Sequence, residues 1–148
     1  MYADSGATTH ILNNPGKVSK LKTYKGGDLL YVGNGDSLDI THIGEGDIYT
    51  ENGKLKLKNV LIVPDIKKNL LSIGQLTQDN ACNIIFSTNN FVVKDLQGKV
   101  IVKGIKKGGL YALDERKNEV FAAFTNKASN AIWHQRLGHT HSNFLKIL

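Results

Sequence analysis

Asp4, Ser5 and Gly6 stand together near the start of the chain, inside the run Asp-Ser-Gly-Ala-Thr-Thr-His that closes on His10. A carboxylate followed by a hydroxyl and a glycine is a combination that chemistry can use. The glycine admits backbone angles closed to other residues, so the chain can turn tightly just past the carboxylate. The hydroxyl can donate to a neighbouring carboxylate or backbone group. A carboxylate so held is a candidate general base. The same three residues also suit a plain Asx-turn at a strand end, where Asp and Ser only satisfy local amides. Three residues do not choose between these readings. The elements that carry them must.

Those elements are mainly strands. The chain has 148 residues, 41% of them hydrophobic and 22% charged, as in ordinary soluble globular proteins. Its length suits one domain with a fragment of a second. Fifteen glycines against two prolines point to many turns between short strands. A single cysteine, Cys82, excludes an internal disulfide framework and suits a reducing compartment. No apolar run reaches the roughly 18 residues needed to span a bilayer. No signal peptide is expected, because Asp4 interrupts the first residues.

In order, Tyr2-Ala3 leads as a strand into Asp4, and residues 17–24 suit a short amphipathic strand. Residues 29–50 alternate around Gly33-Asn34-Gly35, a hairpin with a mobile tip that a ligand could approach closely. After Asn52-Gly53, residues 54–65 alternate Lys with Leu and then become continuously apolar, a strand running into a position buried on both faces. Ser72 with Gln75 is a capping box, flanked by Leu71 and Leu76 as a hydrophobic staple, so one short helix starts there. Further strands follow at 82–86, 91–96, 99–105, 109–114 and 119–124, separated by Asn89-Asn90, Gln97-Gly98 and Gly108-Gly109. Strands repeating about every ten residues imply a small barrel or sandwich. Beyond 126–130, residues 131–137 have helical spacing, Gly138 can close that helix, and Ser142 can cap a second one through 144–148. The segment 126–148 therefore starts a second domain.

The order of these parts resembles the aspartic protease of retroviruses and retrotransposons, and most closely the copia-type retrotransposon polyprotein. The signatures are DSGATTH at 4–10, KNVLIVPDIKKNLLSIGQL at 58–76, GLYAL at 109–113 and WHQRLGH at 133–139. The resemblance implies an all-β domain over 1–125, a small closed β-barrel of the retropepsin-like type with one short helix, followed by a helical tail at 126–148. It assigns Asp4 as the catalytic aspartate, Ser5 as its hydroxyl neighbour and Gly6 as the turn glycine. Val32, Gly33, Asn34, Gly35, Asp36 and Ser37 become the flap over the substrate. Leu70-Leu71-Ser72 matches the step before the helix, with Ser72 where the family has glycine. The tail matches the edge of the integrase zinc region. His134 and His139 fit half of that site, and no Cys pair completes it. No cofactor is expected.

Acid proteolysis needs two carboxylates sharing one proton, because like charges about 3 Å apart do not both ionise. This sequence has one Asp-Ser-Gly, so an active site would need a homodimer contributing one aspartate per chain. The expected substrate is a polypeptide, the chain's own precursor, and the expected location is the cytoplasm within a virus-like particle, or the nucleus. The alternative is a catalytically inactive, protease-like barrel serving association. A nucleic-acid role is suggested by the net charge of +6 and a pI near 9.4. The lysines alternate with apolar residues as on solvated strand faces, and the few aromatics fall in apolar strands. Neither nucleic acid nor membrane is expected as a partner. Cys82 opens an apolar strand and is expected to be a buried structural thiol. His10 and His42 are isolated and are expected on the surface or in turns.

Overall fold

Backbone pairing satisfies the short apolar runs where they alternate with polar residues. In a computed structural model, which describes residues 1–16, 18–113 and 144–146, the strands are β1 (Tyr2–Asp4), β2 (Ile11–Leu12), β3 (Ser19–Thr23), β4 (Leu29–Tyr31), β5 (Ser37–Asp39), β6 (His42–Thr50) and β7 (Gly53–Ile62). Then come β8 (Leu70–Ser72), helix α1 (Ile73–Asn80), β9 (Asn83–Phe86), β10 (Asn90–Lys94), β11 (Val100–Lys107), β12 (Leu110–Leu113) and β13 (Phe144–Lys146).

One ten-stranded sheet runs in the order β3-β6-β7-β2-β8-β1-β12-β11-β10-β9. It curls until distant strands meet: the Thr50 hydroxyl donates to the Ile101 carbonyl at 2.7 Å. Ile48, Leu55 and Leu57 of β6 and β7 share one buried cluster with Phe91, Val93 and Val102 of β10 and β11. This is the expected barrel architecture. The expected hairpin over 29–50 divides in two. β4 and β5 pair with each other in a small second sheet, while β6 leaves to pair with β7 and β3.

The middle of the large sheet is buried on both faces, as the apolar run of β7 implied. Val60 and Ile62 of β7 enter the main cluster, and Leu61 of β7 with Val63 just past its end enters a second one beneath the β4–β5 hairpin. Ile11 and Leu12 of β2 divide the same way, as do Leu70 and Leu71 of β8. Successive side chains of a strand point to opposite faces, so both faces are apolar here. The change from alternating to continuous burial falls at Asn59, whose φ of 53° marks a left-handed residue opposite the irregularity at Gly44 and Gly46. Gly44 must be glycine: a Cβ would lie 2.4 Å from a Val18 methyl and 2.9 Å from the Ser19 carbonyl.

The α1 helix begins where the capping signal put it, with Ser72 Oγ accepting from the Gln75 N–H at 3.1 Å. Leu71 and Leu76 both lie fully buried in the main cluster. Only half of the capping box forms. Gln75 donates its amide to Asp79 at 2.7 Å instead of reaching back, and the Ser72 N–H goes elsewhere. The Gly108-Gly109 turn joins β11 to β12 with φ of 55° and 82°, the left-handed pair that a tight hairpin demands.

One expectation for the tail needs correcting. The sequence pattern predicts a helix through 144–148, whereas residues 144–146 form β13, paired in parallel with Leu29–Tyr31 of β4. The open edge of the small β4–β5 hairpin supplies backbone partners, whereas one isolated helical turn closes few hydrogen bonds of its own. The strand expected at 119–124, the helix expected at 131–137, and His134 and His139 lie outside the described residues.

Candidate active site

Asp4 is the last residue of β1, and its position comes from the strand on either side. Tyr2 pairs antiparallel with Ala112 of β12, while Tyr2, Ala3 and Asp4 pair in parallel with Leu70, Leu71 and Ser72 of β8. The carboxylate stands in register with the first buried polar residue of the helix cap. Its Oδ1 accepts the Gly6 N–H at 2.7 Å, the Asx-turn bond that the residue types allow. Among the described residues, Asp4 Oδ2 accepts no hydrogen bond. Asp4 and Gly6 are half-buried, and Ser5 is exposed with no intrachain partner among the described residues.

The rest of the turn is sewn to the core. The Ser72 hydroxyl donates to the Ala7 carbonyl at 2.7 Å. The Thr9 hydroxyl donates to the Asn59 carbonyl at 2.7 Å. His10 Nδ1 accepts the Ser72 N–H at 3.1 Å, and the His10 carbonyl accepts the Leu61 N–H at 2.9 Å. The Asn13 N–H donates to Asn69 Oδ1 at 2.8 Å. A turn that is exposed at its tip and tied along its flank holds the carboxylate by one oxygen and leaves the other without a hydrogen bond among the described residues.

Two histidine expectations are wrong. His10 is completely buried, and His42 is 3% exposed. His42 falls on the inward face of β6 with Gly44, Gly46 and Ile48. Burial lowers the pKa of both; for His10 the value falls to about 4, against a smaller upward pull from Asp79. Cys82 is buried as expected, and burial pushes its thiol up.

Val32, Gly33, Asn34 and Asp36 line a pocket of about 440 Å³ together with Leu38, Ile66, Lys67 and Leu70. Gly35 and Ser37 belong to the same hairpin but do not line it. The tip is closed by bonds from the Val32 N–H to the Asp36 carbonyl at 3.0 Å and from the Gly35 N–H to the Val32 carbonyl at 2.9 Å. Asn34 grips Asp36 twice, through side-chain and backbone bonds of 2.9 Å each. A Cβ on Gly33 or Gly35 would meet nothing within 4 Å, so a ligand can come close to the backbone there.

Asp4 does not line this pocket within one chain. The link between the two is β8. Leu70 forms part of the pocket, and Ser72, two residues further and about 6.6 Å along the strand, pairs with Asp4. The pocket combines apolar residues with two carboxylates, Asp36 and Asp65, and two lysines, Lys67 and Lys68, in its lining. Lys68 also sits over the Tyr2 ring at 5.0 Å, joining the pocket lining to the strand that carries Asp4.

Sequence reasoning missed His10, Asp79, Asn59 and Asn69 as parts of this framework. The spacing of Gln75 and Asp79 on one helix face was a visible signal, since residues four apart are neighbours on a helix. The buried role of His10 left no such mark.

Comparison with known proteins gives matches of the same kind. Residues 1–81 match the family described as Pol polyprotein, beta-barrel domain. The chain is 37% identical over 140 residues to the retrovirus-related Pol polyprotein from transposon RE1 of Arabidopsis thaliana, covering 92% of this chain. It is equally similar to that from transposon RE2 of the same plant. It is 33% identical over 130 residues to that from transposon TNT 1-94 of Nicotiana tabacum. The chain spans about a tenth (10%) of the length of these relatives.

Proposed function

The chain belongs to the Pol polyprotein β-barrel domain family of copia-type retrotransposons, and from that premise we propose that it is an aspartic endopeptidase acting as a homodimer. The observation that carries the proposal is the setting of Asp4. Its carboxylate ends a half-buried central strand in a tight turn, with Oδ1 held by the Gly6 N–H and Oδ2 accepting no hydrogen bond among the described residues, on a framework fixed by Ser72.

One such carboxylate is half a catalytic pair. In the dimer, each chain presents Asp4 toward the other, and the two share a proton because both cannot stay ionised at close range. The ionised member draws a proton from water, which attacks the peptide carbonyl. The protonated member donates to the carbonyl oxygen as the tetrahedral centre forms. Collapse of that centre then returns a proton to the leaving amine. The hairpin tip at 32–36 lies across the polypeptide, and the pocket beneath it receives a substrate side chain. Its interior of Leu38, Ile66 and Leu70 suits an apolar side chain.

A second reading has its own support. The bond from Gly6 to Asp4 is also what a purely structural Asx-turn makes, and Ser5 braces nothing among the described residues. On this reading the domain is an inactive barrel that serves association within the polyprotein. Cleavage of a precursor-derived peptide by the wild-type chain and by Asp4→Asn separates the two. Activity lost with Asp4 supports the protease; equal inertness of both chains supports the barrel.

A further inference from the structure

We propose that His10 is the positioning residue of the Asp4 turn, a neutral imidazole of fixed tautomer that ties the turn to β8 and α1 by accepting the Ser72 N–H while Asp79 directs its other nitrogen. The inference goes beyond the protease reading and rests on it only for what the positioned carboxylate does.

The tautomer follows from who donates. Nδ1 accepts the Ser72 N–H at 3.1 Å, so it carries no proton. In a neutral ring the proton then sits on Nε2. That nitrogen is buried, has no hydrogen-bond partner among the described residues, and lies 3.7 Å from Asp79 Oδ2, too far for a formed bond but facing a negative charge. The opposite tautomer would set one buried donor against another, leaving both unmade. Asp79 is itself held: Oδ2 accepts the Lys58 N–H at 3.0 Å and Oδ1 accepts from Gln75 at 2.7 Å. Its side chain is 4% exposed. Asp79 from α1 is the charged group that faces the ring, and it is held in turn by Gln75 of the same helix and by the backbone N–H of Lys58 from β7, an exposed residue.

Ser72 is where the effect reaches Asp4. It is the register partner of Asp4, and its hydroxyl holds the Ala7 carbonyl. Residues 7 and 10 of the turn thus close on the two polar groups of one buried serine. Protonating His10 converts Nδ1 from acceptor to donor, breaks the bond to the Ser72 N–H, and releases one of the two ties.

The test is nuclear magnetic resonance of the full ¹⁵N-labelled chain carrying Asp4→Asn, which keeps the acceptor for Gly6 but removes that carboxylate's own titration. The expected imidazole spectrum near neutral pH is that of the Nε2–H tautomer. On acidification, the Ser72 and Gly6 amide signals should move with the same midpoint as the His10 ring. Adding Asp79→Asn should shift that midpoint to lower pH, because the favourable charge is gone. His10→Asn, which offers a carbonyl oxygen near the Nδ1 position, should keep the Ser72 amide signal and abolish its pH response. An Nδ1–H tautomer, a Gly6 amide indifferent to the His10 midpoint, or a midpoint that Asp79→Asn leaves unchanged would each overturn the proposal. None of these readouts requires cleavage, so they stand or fall separately from the protease reading.

Discussion

Asp4 and Ser72 are register partners across the parallel strands β1 and β8, so the carboxylate and the N-cap of helix α1 are held by one ladder. Ser72 is fully buried, and its N–H and hydroxyl are used inside the chain: N–H to His10, O–H to Ala7, and Oγ as acceptor of the Gln75 N–H. Any disturbance of the cap is therefore felt at the turn.

Ser72→Ala removes the cap and leaves the buried Ala7 carbonyl without its donor. The expected loss is about 2 to 3 kcal/mol of stability, a cap of about 1 and an unmade buried bond of about 1 to 2. Urea unfolding monitored by circular dichroism measures it. A loss below half a kcal/mol would mean that water replaces the hydroxyl and that the serine does not brace the turn.

Acid should weaken the fold through His10. Its folded pKa is about 4, below the ordinary 6.5, so the folded state resists a proton that the unfolded chain accepts. The sign follows: stability is complete above pH 6.5, falls as pH drops from 6.5 toward 4, and loses no more from this group below that. At 1.36 kcal/mol per pKa unit the loss is about 3 kcal/mol. Urea midpoints at several pH values for wild type and His10→Asn check it. The variant should show a shallower decline, and parallel curves would contradict the expectation.

How much of this was legible in the sequence depended on range. The Asp4 turn, the Ser72 cap and the hairpin tip at 33–35 were visible because each is set by neighbours within a few residues. The β1–β8 pairing joins segments far apart in the chain, and no local pattern announces it. His10 escaped because it lies just before β2, a strand of only two residues and too short to show a period. His42 escaped for another reason: its inward companions on β6 include Gly44 and Gly46, which carry no apolar side chain to mark that face. The capping box was half right, since Asp79 competes for Gln75 and His10 takes the Ser72 N–H.

The two glycines of the hairpin tip should respond differently to alanine. Gly35 has a φ of 90°, so alanine there strains the backbone and should cost about 1 to 2 kcal/mol. Gly33 has open space around it and no such angle, so Gly33→Ala should leave stability within about half a kcal/mol. On the protease reading, Gly33→Ala raises KM for a peptide substrate by crowding the pocket that this residue lines. Thermal melts and steady-state kinetics on both variants separate the structural cost from the binding cost.

Cys82 should resist thiol reagents in the folded chain. It is 7% exposed, and burial raises its pKa, so little thiolate is present to react. Labelling at neutral pH should accelerate in step with the unfolded fraction as urea is added. Rapid labelling of the native chain would show that the α1–β9 junction opens readily.

The most direct measurement of the central claim is cleavage of a precursor-derived peptide between about pH 4 and 8, by wild type and Asp4→Asn, with the association state of each followed by sedimentation. If two Asp4 carboxylates share a proton, activity should rise with the dimer fraction, peak below neutral pH, and respond to a statine-type inhibitor that mimics the tetrahedral intermediate. Asp4→Asn keeps the shape and the acceptor for Gly6, so it should fold and associate normally while losing at least about a thousandfold in rate. Equal activity of the two chains, or no activity in a wild-type chain shown to be dimeric, would contradict the account and leave the barrel as an association module.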